Sequence, residues 1–316
     1  MNIVFFGTPD FACPSLEAIM GSRHRVAAIV SQPPRPQGRG RKVAPCPTEA
    51  LARERGIEVF TPDNCNDPAF IDTLAALEPD AACVVAYGQF LGKRLRDLPR
   101  HGAFNLHMSL LPKYRGAAPV AHAILMGEKT TGASIFKLVR EMDAGPIAAR
   151  VEVPIPDDID TPTMTELLSQ KGAELWPTML DDIEAGTLEL QEQDPKKVTY
   201  APLLQKLDGH VDWTAPPRWV INHVRAMQGW PGAFTDHIGE DNRVKATLKI
   251  GRCEEAPAPE EKTFPGTVVS VDNDGPVIAC RGGAIRLTRL QAPGHKMLDA
   301  QDFVNGYPLT PGERFM

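Results

Sequence analysis

Three polar side chains lie in or after two apolar runs and could together carry out a group transfer. Asn105 and His107 stand two residues apart in the run that follows Gly102, and side chains two apart on a strand share one face. Asp143 follows a second apolar run later in the chain. An amide can stabilise a developing oxyanion, while an imidazole and a carboxylate can move a proton. These groups suit transfer of an acyl or formyl unit to an amine, because the amine itself attacks and no covalent nucleophile is needed.

Each of these residues also has a purely structural interpretation. A single histidine in an apolar run, as His107 is, is usually a buried side chain with its hydrogen bonds satisfied by the protein. Asn105 alone could cap the end of a strand. The Pro-Lys-Tyr-Arg-Gly loop at residues 112–116 and the Asp-Ala-Gly sequence that begins at Asp143 accompany them. This combination favours a functional site over a chance grouping.

The surrounding pattern alternates strands and helices, which is typical of a mostly parallel sheet. A Rossmann-like α/β domain is therefore expected, with its ligand crevice at the carboxyl ends of the strands. The turn after the first strand has one glycine and lacks the G-x-G-x-x-G pattern, which disfavours a nicotinamide cofactor. Strands are predicted at residues 2–6, 26–30, 58–60, 81–86, 132–139 and 148–155, and helices at 14–20, 47–56, 67–77, 91–98, 119–126 and from Thr161 onward.

The pattern changes in the last third of the chain. Residues 189–207 are polar and broken by prolines, which indicates a linker. A helix at 218–227 precedes short strands separated by turn signals, a pattern typical of a small β-barrel or sandwich. Those strands are predicted at residues 245–250, 266–271, 277–280 and 284–290. We therefore predict a catalytic domain at 1–188, a linker at 189–207 and a smaller domain at 208–316.

A basic loop interrupts the first domain. The chain carries a formal net charge of -6, so contact with nucleic acid would need a local cationic patch. A Pro- and Gly-rich stretch at 31–47 contains four cations within eight residues, namely Arg35, Arg39, Arg41 and Lys42. We expect no regular structure in this stretch. The stretch could be a solvated insertion. The contrast with an acidic chain favours a role in contacting phosphate.

Composition excludes several other classes of protein. The chain has 42% hydrophobic and 23% charged residues, which are ordinary globular values. Its six cysteines form no C-x-x-C pair, so we expect reduced thiols and no metal site. The start of the chain lacks a basic signal-peptide region, and no stretch is long enough to span a membrane. We expect a cytoplasmic protein.

Several motifs resemble those of the folate-dependent formyltransferases. NLHMSLLPKYRGAAP at 105–119 and MDAGPI at 142–147 are similar to the signature of that family. The resemblance extends over essentially the whole chain through GTPDFA at 7–12, GRGRK at 38–42 and VVAYG at 84–88. It implies 10-formyltetrahydrofolate as the formyl donor. It also implies the amine of a methionyl-initiator tRNA as the acceptor.

The same resemblance implies roles for individual residues. Asn105, His107 and Asp143 would be catalytic, and Phe11 would lie near the methionyl side chain. The C-terminal domain would be an OB-like β-barrel that helps to hold the tRNA, and we expect the protein to be a monomer. The implied folate contacts are Ser109, Leu110, Leu111, Pro112, Tyr87 and Gly88, and the implied tRNA contacts are Arg39, Arg41 and Lys42.

Three other functions remain to be compared with this one. The same centre could formylate an amino sugar on a nucleotide, although the GTPDF turn and the GRGRK loop argue against it. Formylation of a purine-pathway ribonucleotide is disfavoured, because those enzymes resemble only the first domain. A catalytically silent RNA-binding protein is disfavoured by the intact Asn105, His107 and Asp143.

Overall fold

The structure is a computed structural model that describes residues 1–34, 36–37, 42–239 and 242–316, with the backbone alone for 36–37 and 42–43. It divides into two compact units. The first comprises Met1–Pro119, Thr130–Pro154 and Thr165–Ala201, and the second comprises Val120–Lys129, Ile155–Met164 and Pro202–Met316. No helix in these described parts is both long and apolar enough to cross a membrane.

The first unit is built on a seven-stranded sheet with the order β10-β9-β7-β6-β1-β2-β5. Five adjacent strands, from β7 to β5 in this order, run parallel, while β9 is antiparallel to both of its neighbours. The strands of this unit are β1 (Asn2–Gly7), β2 (Arg25–Val30), β3 (Pro36–Gln37), β4 (Lys42–Val43), β5 (Glu58–Phe60), β6 (Ala81–Val85), β7 (Ala103–His107), β8 (Arg115–Gly116), β9 (Thr130–Lys137), β10 (Ile147–Pro154) and β11 (Tyr200–Ala201).

Several helices start where the sequence supplies a proline or a side-chain cap. Proline occupies the first turn of α2, α3 and α8, where its missing N–H costs no hydrogen bond. Asp67 also caps α3 by accepting from two backbone N–H groups. The helices are α1 (Cys13–Met20), α2 (Pro47–Glu54), α3 (Pro68–Ala75), α4 (Lys93–Arg96), α5 (Pro119–Leu125), α6 (Thr161–Ala173), α7 (Leu175–Ala185), α8 (Pro217–Ala226) and α9 (Ala300–Gly306), with 3-10 turns at Asp10–Ala12, Pro195–Lys197 and Lys206–Gly209.

The central strands of the large sheet, such as β1 and β6, are buried on both faces. Along β1, Ile3 and Phe5 belong to one apolar cluster, while Val4 and Phe6 belong to another. Successive strand side chains point to opposite faces, so a continuous apolar run fits a sheet that is covered on both sides. Trp176 of α7 is fully buried in the first of these clusters. This arrangement leaves the strand ends and loops as the places for a site.

The second unit contains a curled antiparallel sheet with the order β14-β15-β16-β13-β12-β18, and β17 pairs with β16. A bridge between Thr267 and Arg314 connects the two ends of this order. The Rossmann-like sheet and the small curled sheet confirm the predicted fold class. The strands are β12 (Ala233–Ile238), β13 (Val244–Ala256), β14 (Val268–Asp272), β15 (Gly275–Cys280), β16 (Gly283–Gln291), β17 (Leu298–Asp299) and β18 (Arg314–Phe315).

Two local expectations were wrong. The stretch at 31–47 was expected to lack regular structure, yet β3 and β4 form a short antiparallel pair. The strand Ala233–Ile238 was not predicted, because its centre reads Thr-Asp-His and shows no apolar alternation. Thr235 and His237 are nevertheless buried there, since their side chains hydrogen-bond to other groups. The proposed boundaries of the linker at 189–207 stay a prediction.

Candidate active site

Strand β7 carries two of the three candidate catalytic residues on one face. Phe104 and Leu106 pack into the apolar cluster around Trp176, so the alternation of the strand directs Asn105 and His107 to the opposite face. The strand lies between β6 and β9, with Asn105 paired to Val84 and Phe136. Both residues therefore occupy a fixed position at the carboxyl end of a parallel strand.

The tautomer of His107 follows from its hydrogen bond. Its side chain is buried, and Nε2 lies 2.8 Å from the backbone carbonyl oxygen of Tyr114. A carbonyl oxygen can only accept, so Nε2 carries the proton and donates it. In the neutral ring Nδ1 then presents its lone pair, and this atom lies 3.8 Å from Oδ2 of Asp143. The open nitrogen of the imidazole therefore faces the carboxylate.

Asp143 lies in the turn between β9 and β10 rather than at the end of the strand. Its backbone is in the left-handed region, with φ of 51°, and its Oδ2 accepts a hydrogen bond of 2.8 Å from the N–H of Gly116. Two residues on, a Cβ at Gly145 would lie only 1.8 Å from the carbonyl oxygen of Lys137. The glycine of the Asp-Ala-Gly sequence is therefore a steric requirement of the turn that presents the carboxylate.

Asn105 is half-buried, and its carboxamide makes no hydrogen bond to any residue that the structure describes. A side-chain amide has two donors and an acceptor, and a half-buried one normally finds partners in protein or water. Its donors are thus available to a ligand on the face of β7 that also carries His107. The structure brings His107 and Asp143 together from separate segments, and Asn105 lies two positions before His107 on the same face of β7.

The predicted folate-contacting turn follows β7 directly. The hydroxyl of Ser109 donates to the carbonyl oxygen of Lys113 at 2.6 Å, and Leu111 packs in the core with a relative exposure of 1%. Leu110 and Pro112 are half-buried. If this turn contacts a folate, Leu110 and Pro112 are the members whose side chains can do so.

Tyr87, Gly88 and Phe11 lie at the carboxyl ends of the neighbouring strands β6 and β1. Tyr87 is buried, and its carbonyl oxygen accepts from Oγ1 of Thr8 at 3.0 Å. Gly88 is exposed with φ of 92°. Phe11 is half-buried, and its carbonyl oxygen accepts from Ser169 at 2.6 Å. These residues share the sheet edge of β7, and their binding roles stay predictions.

The predicted cationic contacts cannot be placed. Arg39 and Arg41 lie outside the described residues, and of Lys42 only the backbone, in β4, is described. Sequence reasoning also missed Gln193, which lies in the predicted linker. Its Nε2 donates to the carbonyl oxygen of Asp143 at 2.8 Å. A polar residue in a Pro-broken stretch gives no signal for such a contact.

A second titratable cluster lies at the amino end of β2, on the opposite edge of the sheet. His24, Asp181 and Glu184 have the spacing of a possible cation site. However, Arg23 bonds both carboxylates, with Nη2 at 2.8 Å from Glu184. The hydrogen bond from Arg23 lowers the pKa of Asp181. We interpret the cluster as an ion-pair network, and the expected absence of a metal stays a prediction.

A mostly parallel sheet with an amide, an imidazole and a carboxylate at its carboxyl edge is the arrangement expected of an enzyme that transfers a group through an oxyanion. A formyl transferase family model matches residues 1–180, and a model of the formyl transferase C-terminal domain matches residues 203–308. The chain belongs to the formyl transferase family. A methionyl-tRNA formyltransferase of Geobacter metallireducens is 40% identical over 314 residues, covering 99% of this chain and 98% of that protein.

Solved structures share the fold at low sequence identity. HypX from Aquifex aeolicus, in complex with tetrahydrofolic acid, is 15% identical with a TM-score of 0.62, and the match covers 100% of this chain and 50% of HypX. The sugar 3N-formyl transferase WlaRD, in the presence of dTDP and 5-N-formyl-THF, is 16% identical with a TM-score of 0.65. That match covers 94% of this chain and 99% of WlaRD. At these identities the likeness concerns the fold.

Proposed function

We propose that the protein transfers the formyl group of 10-formyltetrahydrofolate to the α-amino group of methionyl-initiator tRNA. The observation that carries this proposal is the approach of His107 and Asp143 to within 3.8 Å beside the amide of Asn105, which makes no hydrogen bond within the described part of the chain. The choice of acceptor is supported by the methionyl-tRNA formyltransferases that are about 40% identical over nearly the whole chain. We further propose that it acts as a cytoplasmic monomer.

In this mechanism the amine attacks the formyl carbon directly. An α-amino group has a pKa of about 7.7 to 8.0, so a neutral fraction exists near pH 7. Attack forms a C–N bond and moves the carbonyl electrons onto oxygen, where the Asn105 amide donates a hydrogen bond. The attacking nitrogen becomes positively charged and must lose a proton. Nδ1 of His107 and the Asp143 carboxylate are the groups that can accept it.

The His107 tautomer connects proton transfer with oxyanion stabilisation. Because Nε2 is engaged by the Tyr114 carbonyl, the ring can contact an oxyanion only through a protonated Nδ1. A proton received there would be held between the ring and Asp143. The same proton can then be returned to N10 of the folate as the bond from N10 to the formyl carbon breaks. The enzyme therefore neither gains nor loses a proton over the whole reaction.

A residue-based assignment of the folate and methionyl contacts forms part of the proposal. Leu110 and Pro112 would contact the folate through their half-buried side chains. Tyr87 would act through the loop it anchors, with exposed Gly88 leaving room for the ligand. Phe11 would contact the methionyl side chain.

The test is a formyl-transfer assay that compares acceptors. Purified protein is mixed with 10-formyltetrahydrofolate and either methionyl-initiator tRNA, uncharged initiator tRNA or an amino-sugar nucleotide, and release of tetrahydrofolate is followed. Transfer to the methionyl-tRNA alone is expected. Preferential transfer to the sugar nucleotide would instead support the alternative acceptor class.

The basic loop is proposed to contact the tRNA acceptor end through Arg39, Arg41 and Lys42. Replacing all three by glutamine should weaken tRNA binding and reduce the salt dependence of log K by roughly 2 to 3, at about 0.7 to 0.9 per phosphate contact. Lys93→Gln on α4, a side chain that is 84% exposed, is the control. If the salt dependence of tRNA binding is unaltered in the triple variant, the loop is a solvated insertion that does not contact the tRNA.

A further inference from the structure

The segment 191–201, within the predicted linker, runs along both loops that support the active site. Gln191 exchanges two backbone hydrogen bonds of 2.8 Å with Ile147, at the start of β10. At its other end, β11 pairs with β8. Between them, Oγ1 of Thr199 accepts from the N–H of Tyr114 at 2.9 Å. Because the carbonyl of Tyr114 holds His107, this segment supports the imidazole as well as the loops.

Gln193 lies near the start of this segment. Its Nε2 donates to the carbonyl oxygens of Asp143 at 2.8 Å and Gly145 at 2.7 Å. Its Oε1 accepts from Nη2 of Arg115 at 2.7 Å. Carbonyl oxygens only accept and a guanidinium only donates, so these partners fix which end of the carboxamide faces which loop. Both N–H donors are used on the protein.

These contacts connect Gln193, Arg115 and Asp143 in a closed set of hydrogen bonds around the Asp143 carboxylate. Arg115 directly precedes Gly116, whose N–H holds Oδ2 of Asp143. Gln193 thus fixes the backbone of Asp143, while Gly116 fixes its side chain. A left-handed backbone is unfavourable for a non-glycine residue, so the surrounding structure has to support the φ of 51° at Asp143. The two Gln193 donors supply that support at both ends of the Asp-Ala-Gly sequence.

We infer that Gln193 is a positioning residue that holds the Asp143 carboxylate facing His107, so the predicted linker contributes to the active site. This inference rests on the proposed function, since it assigns Gln193 a part in the same proton transfer. It predicts that replacing Gln193 lowers turnover because the Asp143 carboxylate is displaced. A residue that only stabilised the fold would act whether or not the carboxylate were present.

The experiment measures kcat and KM for Gln193→Leu, a substitution of similar size that removes all four hydrogen bonds of the Gln193 side chain, two of them from Arg115. Gln193→Glu is a second variant that keeps the acceptor for Arg115 and loses both donors. Both should lower kcat on the order of 10- to 100-fold, because small misplacements of a catalytic group are costly. KM for folate and for tRNA should stay within about twofold. Glu192→Leu, an exposed neighbour, is the matched control.

A double-mutant cycle with Asp143→Asn separates positioning from general stability. In that background Gln193→Leu should lower kcat further by less than about threefold, since its target has already lost its charge. An equal loss in both backgrounds, or a loss no larger than that of Glu192→Leu, would overturn the inference. If the unmodified protein transfers no formyl group, the proposed function fails separately. In that case a crystal structure of Gln193→Leu would test the positioning role. An unchanged 3.8 Å separation of His107 and Asp143 would contradict it.

Discussion

Replacing Asn105 should separate catalysis from stability. Its amide makes no hydrogen bond to the residues that the structure describes, so Asn105→Ala leaves no buried protein partner unsatisfied. The free energy of unfolding should therefore change by less than about 1 kcal/mol. Loss of one oxyanion donor should lower kcat roughly 10²- to 10³-fold, equivalent to about 2.7–4 kcal/mol. The effect on rate should thus exceed the effect on stability by a wide margin.

Asn105→Asp sharpens this prediction. It has nearly the same shape but replaces the donor with a negative charge beside the developing oxyanion. Repulsion adds to the lost hydrogen bond, so this variant should be slower than Asn105→Ala. If Asn105 only filled space, the isosteric aspartate would be the better tolerated of the two.

The measurement is single-turnover formyl transfer with pre-bound tRNA, so that product release does not mask the chemical step. Thermal unfolding of each variant is measured in parallel. Asn305→Ala, an exposed position in α9, is the control and should match the unmodified protein. Asn105→Ala with unchanged single-turnover rates would refute the oxyanion assignment.

Three further outcomes are expected. Asp143→Asn keeps the shape but loses the base, so kcat should fall roughly 10²- to 10⁴-fold and its pH dependence should flatten; an unaltered pH profile would contradict the assignment. Gly145→Ala should destabilise the fold by about 2 kcal/mol or more in chemical denaturation, because the new Cβ would meet Lys137, while Gly306→Ala, with open space around it, should not. Burial lowers the pKa of His223 below its ordinary value of 6.5, so the unfolded chain binds this proton more readily and stability should fall as pH falls below that value. His223→Gln should reduce this loss, which is at most about 1.4 kcal/mol per pH unit, as measured by unfolding between pH 7.5 and 5.5.

Local patterning was sufficient to predict the strands of the large sheet in the first unit, although it did not predict their order. Continuous apolar runs predicted strands such as β6, and the strands predicted at 132–139 and 148–155 correspond to β9 and β10. The polar strand β12 was not predictable, because its buried Thr235 and His237 depend on partners distant in the chain. Propensity describes the local chain, whereas such burial depends on hydrogen bonds made after folding.

The sequence by itself determined that Asn105 and His107 share a face, because a strand has a period of two. It also contained the glycine that the Asp143 turn requires. Only the tertiary structure decided that Asp143 lies 3.8 Å from His107, that Nδ1 is the open nitrogen, and that Gln193 holds the turn. Each of these depends on contacts between segments far apart in the chain. Such contacts are fixed by packing, which no local pattern of residues encodes.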